Sequence, residues 1–373
     1  MGDAHRIGVV GLGVISRAYL DTLAGHPAVR VTAVADLDAA RSVSVAAELP
    51  AAAALTVEEL LSSPDVDTVL NLTVPAAHAG IALGAVARGK HVYGEKPLAA
   101  TLDDARAVLE AAAKAGVGVG CAPDTVLGTG IQTARAAVEA GAVGRPLFAT
   151  AVMVTPGHER WHPQPDFYYA PGGGPLLDMG PYYLASLVHL LGPVRSVTGA
   201  SSRLRSERVI GSGPRAGERI PVEVDSHVSG VLEHTSGALT TITTSFDGVA
   251  TTAAPIEVHG ERGTLSVPDP NCFDGEVRLF GLGGTQWRTL PPSAGYAEGA
   301  RGVGLLDFIA ADASRGPRAS GDLALHVLET MTALLRSSAE GRRIELTTAT
   351  PPPAPVPLTA AAQWRGEGRP AAR

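Results

Sequence analysis

The residues with the clearest chemical use lie near the N-terminus, where a glycine-rich segment follows a short apolar run. Gly11-Leu12-Gly13-Val14-Ile15-Ser16 has the spacing G-x-G-x-x-G, with serine in the third small position. Glycines allow a tight turn and close approach of the backbone to a pyrophosphate. A helix that begins there offers free N–H groups and the positive end of its dipole to the phosphates. We therefore predict a dinucleotide site; the alternative is a glycine turn that binds no ligand.

A carboxylate, Asp36, ends the second apolar run of the chain. It lies at the distance from the glycines where such a group accepts hydrogen bonds from the adenosine ribose hydroxyls. Its charge repels a ribose 2′-phosphate, so NAD is favoured over NADP as the cofactor. Arg41 is close enough to weaken this preference and is included in the predicted cofactor site. The alternative for Asp36 is a simple turn residue.

Aromatic and polar residues are concentrated in the segment 157–169, just before a glycine run. Trp161 and His162 suit the C–H faces and hydroxyl groups of a carbohydrate, and we predict that both bind substrate. The alternative is a folded aromatic flap without ligand contact. His158 and His162 have i,i+4 spacing, but Pro163 and the absence of an HExxH glutamate argue against zinc, so no metal site is predicted.

The first third of the chain alternates short apolar runs with helical patterns, which is typical of a parallel sheet covered on both faces. The predicted strands are 6–10, 29–35, 68–72, 91–93 and 117–120, and the predicted helices are 14–25, 38–48, 56–62, 77–88 and 102–115. Asp124 follows the last of these strands. Its carboxylate is expected either to bind substrate or to cap the next helix.

The later part of the chain separates its strands from its helices, which indicates an α+β domain. The predicted helices are 129–140, 179–191, 302–314 and 322–338, and the predicted strands are 147–154, 194–201, 222–233, 238–246, 255–259, 263–267 and 276–281. We predict a first domain over 1–125, a second over 126–345 and a Pro/Ala-rich tail over 350–373 without a core-forming pattern.

The composition is that of a globular protein, with 373 residues, 45% hydrophobic and 18% charged, and this length favours two domains. The net charge of -7 at pH 7 argues against a nucleic-acid-binding protein, which normally has a basic face. Cys121 and Cys272 belong to no C-x-x-C pair, so we expect reduced thiols. No signal peptide and no apolar run of about 18 residues is evident. We expect a cytoplasmic protein with no membrane or nucleic-acid partner.

Three further segments carry a family resemblance. Residues 90–98 read K-H-V-Y-G-E-K-P-L and are similar to the G-K-H-V-x-x-E-K-P-L segment of the glucose-fructose oxidoreductase, inositol dehydrogenase and rhizopine-catabolism (Gfo/Idh/MocA) family. Residues 73–78 resemble the T-x-P-x-x-H loop of that family, and residues 172–180 its G-G-G-x-x-x-D-x-G segment. With the glycine turn, the resemblance covers about residues 1–345, and the combination of motifs is highly specific.

The resemblance implies an N-terminal α/β Rossmann domain with a parallel sheet, which binds NAD(P). It also implies a C-terminal α+β domain, for substrate binding and oligomerisation, with a large, open, mainly antiparallel sheet. One face of that sheet would carry the substrate site and the other often packs in dimers or tetramers, so a homodimer or homotetramer is expected. Lys96 would lie beside the nicotinamide and the substrate hydroxyl, and Glu95 and Pro97 would shape its turn, often with a cis peptide. The resulting cofactor set is Gly11, Gly13, Val14, Ile15, Ser16, Asp36, Arg41, Thr73, Pro75, His78, Glu95, Lys96 and Pro97.

The sequence departs from the family at one important position. Relatives usually have D-x-G-x-H-x-x-D along this helix, whereas here Tyr182 replaces the histidine and Ala185 the last aspartate. The predicted catalytic set is Lys96, Asp178 and Tyr182; the last two are four residues apart and share a helix face. A phenol with a pKa of about 10 is a poor base unless a nearby ammonium lowers that pKa. Lys96 or His162 is the alternative proton acceptor.

The predicted substrate-binding set is Lys96, Asp124, Trp161, His162, Asp178 and Tyr182. The expected function is NAD(P)-dependent hydride transfer between nicotinamide and a secondary alcohol or ketone of a sugar, cyclitol or polyol. Two alternatives remain: an enzyme that uses NAD transiently to cleave glycosidic bonds, and a dinucleotide-binding protein without catalysis. The intact Glu95-Lys96-Pro97 segment argues against the last.

Overall fold

The computed structural model describes residues 4–312 and 316–367. The chain divides into two compact units. The first unit consists of Met1–Thr129, Ala294–Leu325 and Pro353–Arg373, and the second of Gly130–Ser293 and His326–Pro352. The chain therefore leaves the first unit after Thr129 and returns to it twice. The predicted domains, 1–125 and 126–345, are contiguous segments and do not include these returns.

The N-terminal segment of the first unit alternates strands and helices. Its elements are β1 (His5–Val10), α1 (Ser16–Leu23), β2 (Val29–Ala35), α2 (Ala39–Glu48), β3 (Ala53–Ala54), α3 (Val57–Ser62), β4 (Thr68–Asn71), α4 (Pro75–Val86), β5 (His91–Gly94), α5 (Leu102–Ala115) and β6 (Val119–Cys121). In the described part of the chain these six strands form one parallel sheet in the order β3-β2-β1-β4-β5-β6. The order reverses between β1 and β4, and ligands of such sheets bind beyond the carboxyl ends of the strands at this point.

The starts and ends of these helices follow local signals in the sequence. The Asp38 carboxylate accepts hydrogen bonds from the first N–H groups of α2, and Thr56 and Glu59 form a reciprocal capping box at α3. Thr101 caps α5, which ends at Gly116 in the left-handed region with φ 70°. These caps fix where each helix begins and therefore where each loop at the carboxyl edge of the sheet lies.

The second unit is built on a mainly antiparallel sheet. Its elements begin with α6 (Thr129–Glu139), β7 (Pro146–Val154), α7 (Pro175–Leu191), β8 (Val194–Ser202), β9 (Glu207–Val209), β10 (Arg219–Pro221), β11 (His227–His234), β12 (Leu239–Ser245), β13 (Ile256–Gly260), β14 (Gly263–Val267), β15 (Val277–Gly281) and β16 (Arg288–Leu290). The chain then passes through α8 (Val303–Ile309) in the first unit, α9 (Gly321–Glu340), which begins in the first unit and continues in the second, β17 (Ile344–Glu345) in the second unit and α10 (Ala361–Trp364) in the first. Over the described residues, the sheet order is β16-β15-β14-β13-β7-β12-β11-β8-β17, and β7–β12 is its parallel pair. The predicted fold class is confirmed.

Helix α7 begins four residues earlier than predicted. Gly174, with φ 96°, precedes it, and Pro175 occupies the first turn, where its missing N–H costs no hydrogen bond. Asp178 therefore lies inside the first turn, and Gly174 occupies the N-cap position. The predicted helix 302–314 is shorter, ending at Ile309; residues 313–314 of that prediction lie outside the described residues.

The tail contacts the rest of the first unit through residues 357–364; residues 368–373 of the predicted tail lie outside the described residues. Bridges join Ala294 to Pro357 and Tyr296 to Thr359, and the buried Trp364 indole donates a hydrogen bond to the carbonyl of Ala297 at 2.8 Å. Proline-rich segments lack helix and sheet patterns, so the sequence alone does not indicate these pairings. Over residues 4–312 and 316–367, no helix combines the length and apolar character that a membrane span requires.

Candidate active site

The glycine turn after β1 is shaped by two different steric requirements. Gly11 has φ 90°, and a Cβ atom there would lie 2.7–2.8 Å from backbone atoms of Leu72 and Thr73. Around Gly13, by contrast, a Cβ atom would meet nothing within 4 Å, so the backbone is open to a ligand. The Ser16 hydroxyl donates to the carbonyl of Gly13 at 2.7 Å and closes the turn. No side chain caps α1. These features fit a pyrophosphate at the start of α1.

Asp36 connects the end of β2 to this turn. One carboxylate oxygen accepts the N–H of Leu12 at 2.7 Å and the other the N–H of Asp38 at 2.9 Å. The Arg41 guanidinium lies 3.3 Å from both oxygens. Partial burial raises the pKa of Asp36, but these hydrogen bonds and Arg41 outweigh it, and the net pKa is lowered. The group is therefore an anion at neutral pH, as a ribose-binding carboxylate must be.

The loops after β4 and β5 are fastened to each other. The Asn71 side chain donates to the carbonyl of His78 at 3.0 Å and accepts from the Thr73 hydroxyl at 2.7 Å. The buried ring of His78 has its Nδ1 2.6 Å from the carbonyl oxygen of Pro97 and its Nε2 3.0 Å from that of Thr73. We predicted His78 as a cofactor ligand, but both ring nitrogens face protein carbonyls. Its role in the structure is to hold the two loops. Pro75, also predicted there, occupies the first turn of α4.

The turn that carries Lys96 is fixed by its neighbour Glu95. One Glu95 carboxylate oxygen accepts the N–H of Lys96 at 3.1 Å, and the other accepts the Tyr19 hydroxyl at 2.8 Å. Burial, and then Glu95 itself, raises the pKa of Tyr19 well above its ordinary value, so its hydroxyl remains a donor. The Lys96–Pro97 peptide is cis. Lys96 is partly exposed at the carboxyl end of β5, next in the sheet to β4.

Asp124 has a different role from the two that we predicted. Its fully buried carboxylate accepts the N–H of Gly302 at 2.8 Å and of Gly304 at 3.2 Å, and Arg301 lies 3.4 Å away. It therefore holds the start of α8, and it makes no side-chain cap on the short 3₁₀ helix that follows it. Burial raises its pKa against the opposing effect of Arg301. A carboxylate so enclosed is not available to a substrate.

In the second unit, α7 carries Asp178 in its first turn and the buried Tyr182 one turn later. Asp178 is paired with His158: their Oδ2 and Nε2 atoms are 3.1 Å apart, and the side chains are 18% and 12% exposed. Sequence reasoning considered His158 only as a zinc candidate. The two residues are separated by a loop of irregular structure, and no spacing rule links them.

The His158 ring lies in an aromatic cluster. Its centroid is 5.3 Å from Trp161, 4.8 Å from Tyr168 and 4.6 Å from Phe246. Trp161 and Phe167 are 60% and 55% exposed, so two large rings of this loop face solvent. The aromatic segment predicted to bind carbohydrate therefore does present ring faces.

His162 belongs to the loop rather than to the Asp178 pair. Its ring centroid is 5.4 Å from Trp161 and 5.3 Å from Phe167, and its Nδ1 accepts the N–H of Gln164 at 3.1 Å. Asp178 and Tyr182 lie together on α7, as predicted from their spacing, and it is His158 that the fold adds to them.

A buried ionic network holds the base of this loop. The guanidinium of Arg208 lies 3.4 Å from Glu159 and 2.5 Å from Asp247, and the hydroxyl of Tyr169 donates to Glu159. Burial and then Glu159 raise the pKa of Tyr169, which keeps this donor protonated. At Gly157, with φ 106°, a Cβ atom would collide with Glu159 and Tyr169. The backbone on both sides of His158 is thus tightly constrained.

No group of three or more His, Cys, Asp or Glu side chains in the described ranges is gathered as a metal site would require. The cofactor that the first unit fits is a dinucleotide. The supporting observations in the first unit are the glycine turn, the absence of a side-chain cap on α1 and the anionic Asp36.

Comparisons with known proteins agree with this geometry. Residues 5–122 match a family model described as an oxidoreductase family with an NAD-binding Rossmann fold, and residues 131–266 match the GFO/IDH/MocA C-terminal domain. A 1,5-anhydro-D-fructose reductase from Ensifer adhaerens is 29% identical over 356 residues, 92% of this chain and 99% of that protein.

A myo-inositol 2-dehydrogenase from Thermotoga maritima is 28% identical over 270 residues, 70% of this chain and 74% of that protein. A solved NAD binding oxidoreductase from Klebsiella pneumoniae shares the fold with a TM-score of 0.80 at 24% identity, over 92% of this chain and 100% of that one. The motifs, the two-unit fold and the two matching family models together show that the chain belongs to the Gfo/Idh/MocA family of NAD-binding oxidoreductases.

Proposed function

We propose that the protein transfers a hydride between NAD and a secondary alcohol or ketone carbon of a sugar, cyclitol or polyol. The observation that carries this proposal is Lys96, held by Glu95 in a fixed turn at the carboxyl edge of the sheet whose glycine turn is open to a pyrophosphate. The named activities of the reductase from Ensifer and the dehydrogenase from Thermotoga, on an anhydro sugar and on an inositol, support this substrate class.

The cofactor is proposed to lie along the carboxyl edge of the first unit. Gly11, Gly13, Val14, Ile15 and Ser16 receive the pyrophosphate, and Asp36 accepts hydrogen bonds from the adenosine ribose. Bound NAD supplies the hydride acceptor, or as NADH the hydride donor. The anionic Asp36 disfavours a 2′-phosphate, and Arg41 is already paired with Asp36 and Asp38, so NAD is preferred over NADP.

On the substrate, three side chains are proposed to act. Lys96 donates a hydrogen bond to the reacting oxygen, Asp178 orients the groups around α7, and Tyr182 hydrogen-bonds the substrate. Trp161 and His162 contact its ring face and hydroxyls from the aromatic loop, whose exposed rings suit a carbohydrate. The predicted cytoplasmic location is part of the same proposal, and the free cysteines Cys121 and Cys272 support it.

A substrate panel tests the function. The protein is mixed with sugars, anhydro sugars, inositols and polyols in the presence of NAD or NADP, and the absorbance of the reduced nicotinamide is followed. At least one compound should reduce NAD, with kcat/KM for NAD about tenfold or more above that for NADP, the effect of about 1.4 kcal/mol of differential binding.

Other outcomes would favour the alternatives. Release of the leaving group from an aryl glycoside without net accumulation of NADH would indicate redox-assisted glycoside cleavage. Tight NADH binding with no turnover of any compound would indicate a dinucleotide-binding protein without catalysis. In the first case hydride transfer would be transient and not the net reaction, and in the second no hydride would be transferred. Either outcome would contradict net oxidation or reduction as the function.

A further inference from the structure

We propose that His158, held by Asp178, is the acid–base group of the reaction, and that it takes the place of the histidine missing at position 182. The inference rests on the proposed hydride transfer to a hydroxyl carbon. It concerns the group that accepts the proton, for which the sequence indicates Lys96, Tyr182 or His162 as candidates. Its basis is the 3.1 Å contact between His158 Nε2 and Asp178 Oδ2.

The hydrogen-bond chemistry of the pair decides which ring nitrogen is reactive. An ionised carboxylate can only accept, so in the neutral imidazole the hydrogen lies on Nε2 and points at Asp178. The lone pair is then on Nδ1. Among the residues that the structure describes, no hydrogen bond engages Nδ1, and the side chain keeps 12% of its surface exposed. Nδ1 is therefore the atom that can receive a proton from a ligand.

The surroundings of the ring favour this role. Asp178 faces it from α7, Trp161 and Tyr168 face it from its own loop, and Phe246 faces it from the end of β12. The charged group among these is the Asp178 carboxylate, and the other titratable group is the Tyr168 phenol. Glu159 is adjacent in sequence but is turned towards Tyr169 and Arg208. A carboxylate in contact with the ring stabilises the imidazolium that forms during reaction.

The geometry is also rigid. The buried network of Arg208, Glu159, Asp247 and Tyr169 fixes the backbone that carries His158, and α7 fixes Asp178. An acid–base group must be held within hydrogen-bond reach of the proton it moves, and a group on a mobile loop rarely is. Within residues 4–312 and 316–367, no carboxylate is paired with His162, and its Nδ1 accepts the N–H of Gln164.

The proposed step balances as follows. In oxidation, the substrate carbon loses its hydrogen with both electrons as hydride to NAD⁺. The hydroxyl O–H bond breaks, its electron pair forms the second C–O bond, and its proton goes to Nδ1 of His158. The products are a ketone, NADH and an imidazolium facing Asp178; the imidazolium then releases its proton to water. Reduction reverses each of these changes. Lys96 and Tyr182 then need only hydrogen-bond the oxygen, and neither has to become a base.

The test compares His158→Gln with His259→Gln in the NAD-loaded enzyme. Glutamine can still donate to Asp178 but cannot exchange a proton. His259 is in the same unit, on β13, where its ring stacks on Phe148 and its Nδ1 contacts Thr264. We expect His158→Gln to lower kcat about a hundredfold or more, the range for a lost general base. NADH affinity, measured by fluorescence titration, and the unfolding temperature should change little. His259→Gln should keep wild-type kcat.

Two further readouts separate proton transfer from a structural role. The fall of kcat/KM at low pH, where a general base is protonated, should be absent from His158→Gln. In His158→Ala, added imidazole should restore part of kcat in proportion to its concentration. Asp178→Asn should lower kcat by a smaller factor, and imidazole should not rescue it, because the native ring is still present.

The outcomes are distinguishable. If His158→Gln keeps kcat within about threefold of the wild-type value and has the wild-type pH profile, His158 is not the acid–base group. An equal loss of kcat in His259→Gln would also overturn the proposal. Wild-type protein that oxidises nothing in the panel would instead contradict the proposed function itself.

Discussion

Gly11 and Gly13 occupy the same turn but are glycines for different reasons. Gly11 is required by the protein, because its φ of 90° and the backbone of Leu72 exclude a side chain. Gly13 has open space around it, so any requirement there comes from a ligand. The two positions therefore separate the folding role of the motif from its binding role.

Alanine substitutions at these positions should have distinct effects. Gly11→Ala forces a left-handed residue and a clash, so we expect it to lower the free energy of unfolding by about 1–3 kcal/mol. Gly13→Ala should change stability by about 0.5 kcal/mol or less, yet weaken NADH binding about tenfold or more, because the methyl group blocks the phosphate. Urea unfolding without cofactor and NADH titration measure the two effects. Equal destabilisation by both, or unchanged NADH affinity in Gly13→Ala, would contradict this separation.

At this scale, the sequence indicates candidate site residues where the chemistry is local. The glycine turn, Asp36 and the Lys96 turn are recognisable because their residues act within a few positions of each other. His158 was not recognisable, because its partner Asp178 is twenty residues away across an irregular loop. Asp124 was placed wrongly because its partners, Gly302 and Gly304, come from a return of the chain that no local pattern predicts.

Among the elements, β11 and β12 are joined to the end of α7 by a buried histidine. Nδ1 of His234 lies 2.7 Å from the carbonyl oxygen of Gly192, and its Nε2 lies 2.9 Å from the Thr240 hydroxyl. A neutral imidazole satisfies both contacts, with Nδ1–H as donor and Nε2 as acceptor. Burial lowers the pKa of His234 to about 4, despite the hydrogen bond to Gly192. This contact is therefore sensitive to acid.

The pH dependence of stability has a definite sign. Because the folded pKa of His234 is about 4 and the unfolded pKa is about 6.5, the unfolded chain takes up the proton first as pH falls. This contribution to stability is complete above about pH 6.5 and is lost progressively towards pH 4. We expect the free energy of unfolding, from urea titrations at several pH values, to fall less steeply over this window in His234→Gln. His227→Gln, on the same strand, is the matched control and should fall as the wild type does. Parallel curves for wild type and His234→Gln would disprove the assignment.

Helices α2, α3 and α5 were predicted to within one residue at each end because they begin at caps that act within one turn, namely Asp38, Thr56 and Thr101. The short strands β3, β9, β10, β16 and β17 were not predicted, since two or three residues give no alternation. The early start of α7 was missed because glycines and a proline normally end a helical pattern, whereas here they begin one.

At the scale of the molecule, one face of the second-unit sheet exposes large apolar side chains. Phe148, Val231 and Leu239 are 46%, 40% and 47% exposed, and the strand register places them on the same face. Exposed apolar clusters on a sheet mark interaction surfaces. They support the proposal that the protein is a homodimer or homotetramer.

Light scattering tests this proposal. The wild-type protein should have a molar mass of two or four times 38.0 kDa. Phe148→Lys, which places a charge on the sheet face, should lower that mass. Leu282→Lys, at an exposed position outside the strands, is the control and should not. A monomeric wild type, or an oligomer indifferent to Phe148→Lys, would rule out association through this face.

The interrupted path of the first unit limits how the protein can be divided. A fragment that stops at residue 129 would contain every residue of the glycine turn and the Lys96 turn. It would lack Arg301 and the amides of Gly302 and Gly304, and so would lose the groups that bind the Asp124 carboxylate. Loss of these hydrogen bonds and of the apolar packing of the returning segments is expected to cost several kcal/mol, comparable to the whole stability of a small domain. The first unit is therefore not expected to fold as a single N-terminal fragment. A chimaera that exchanges this unit between relatives would have to exchange all three of its chain segments together.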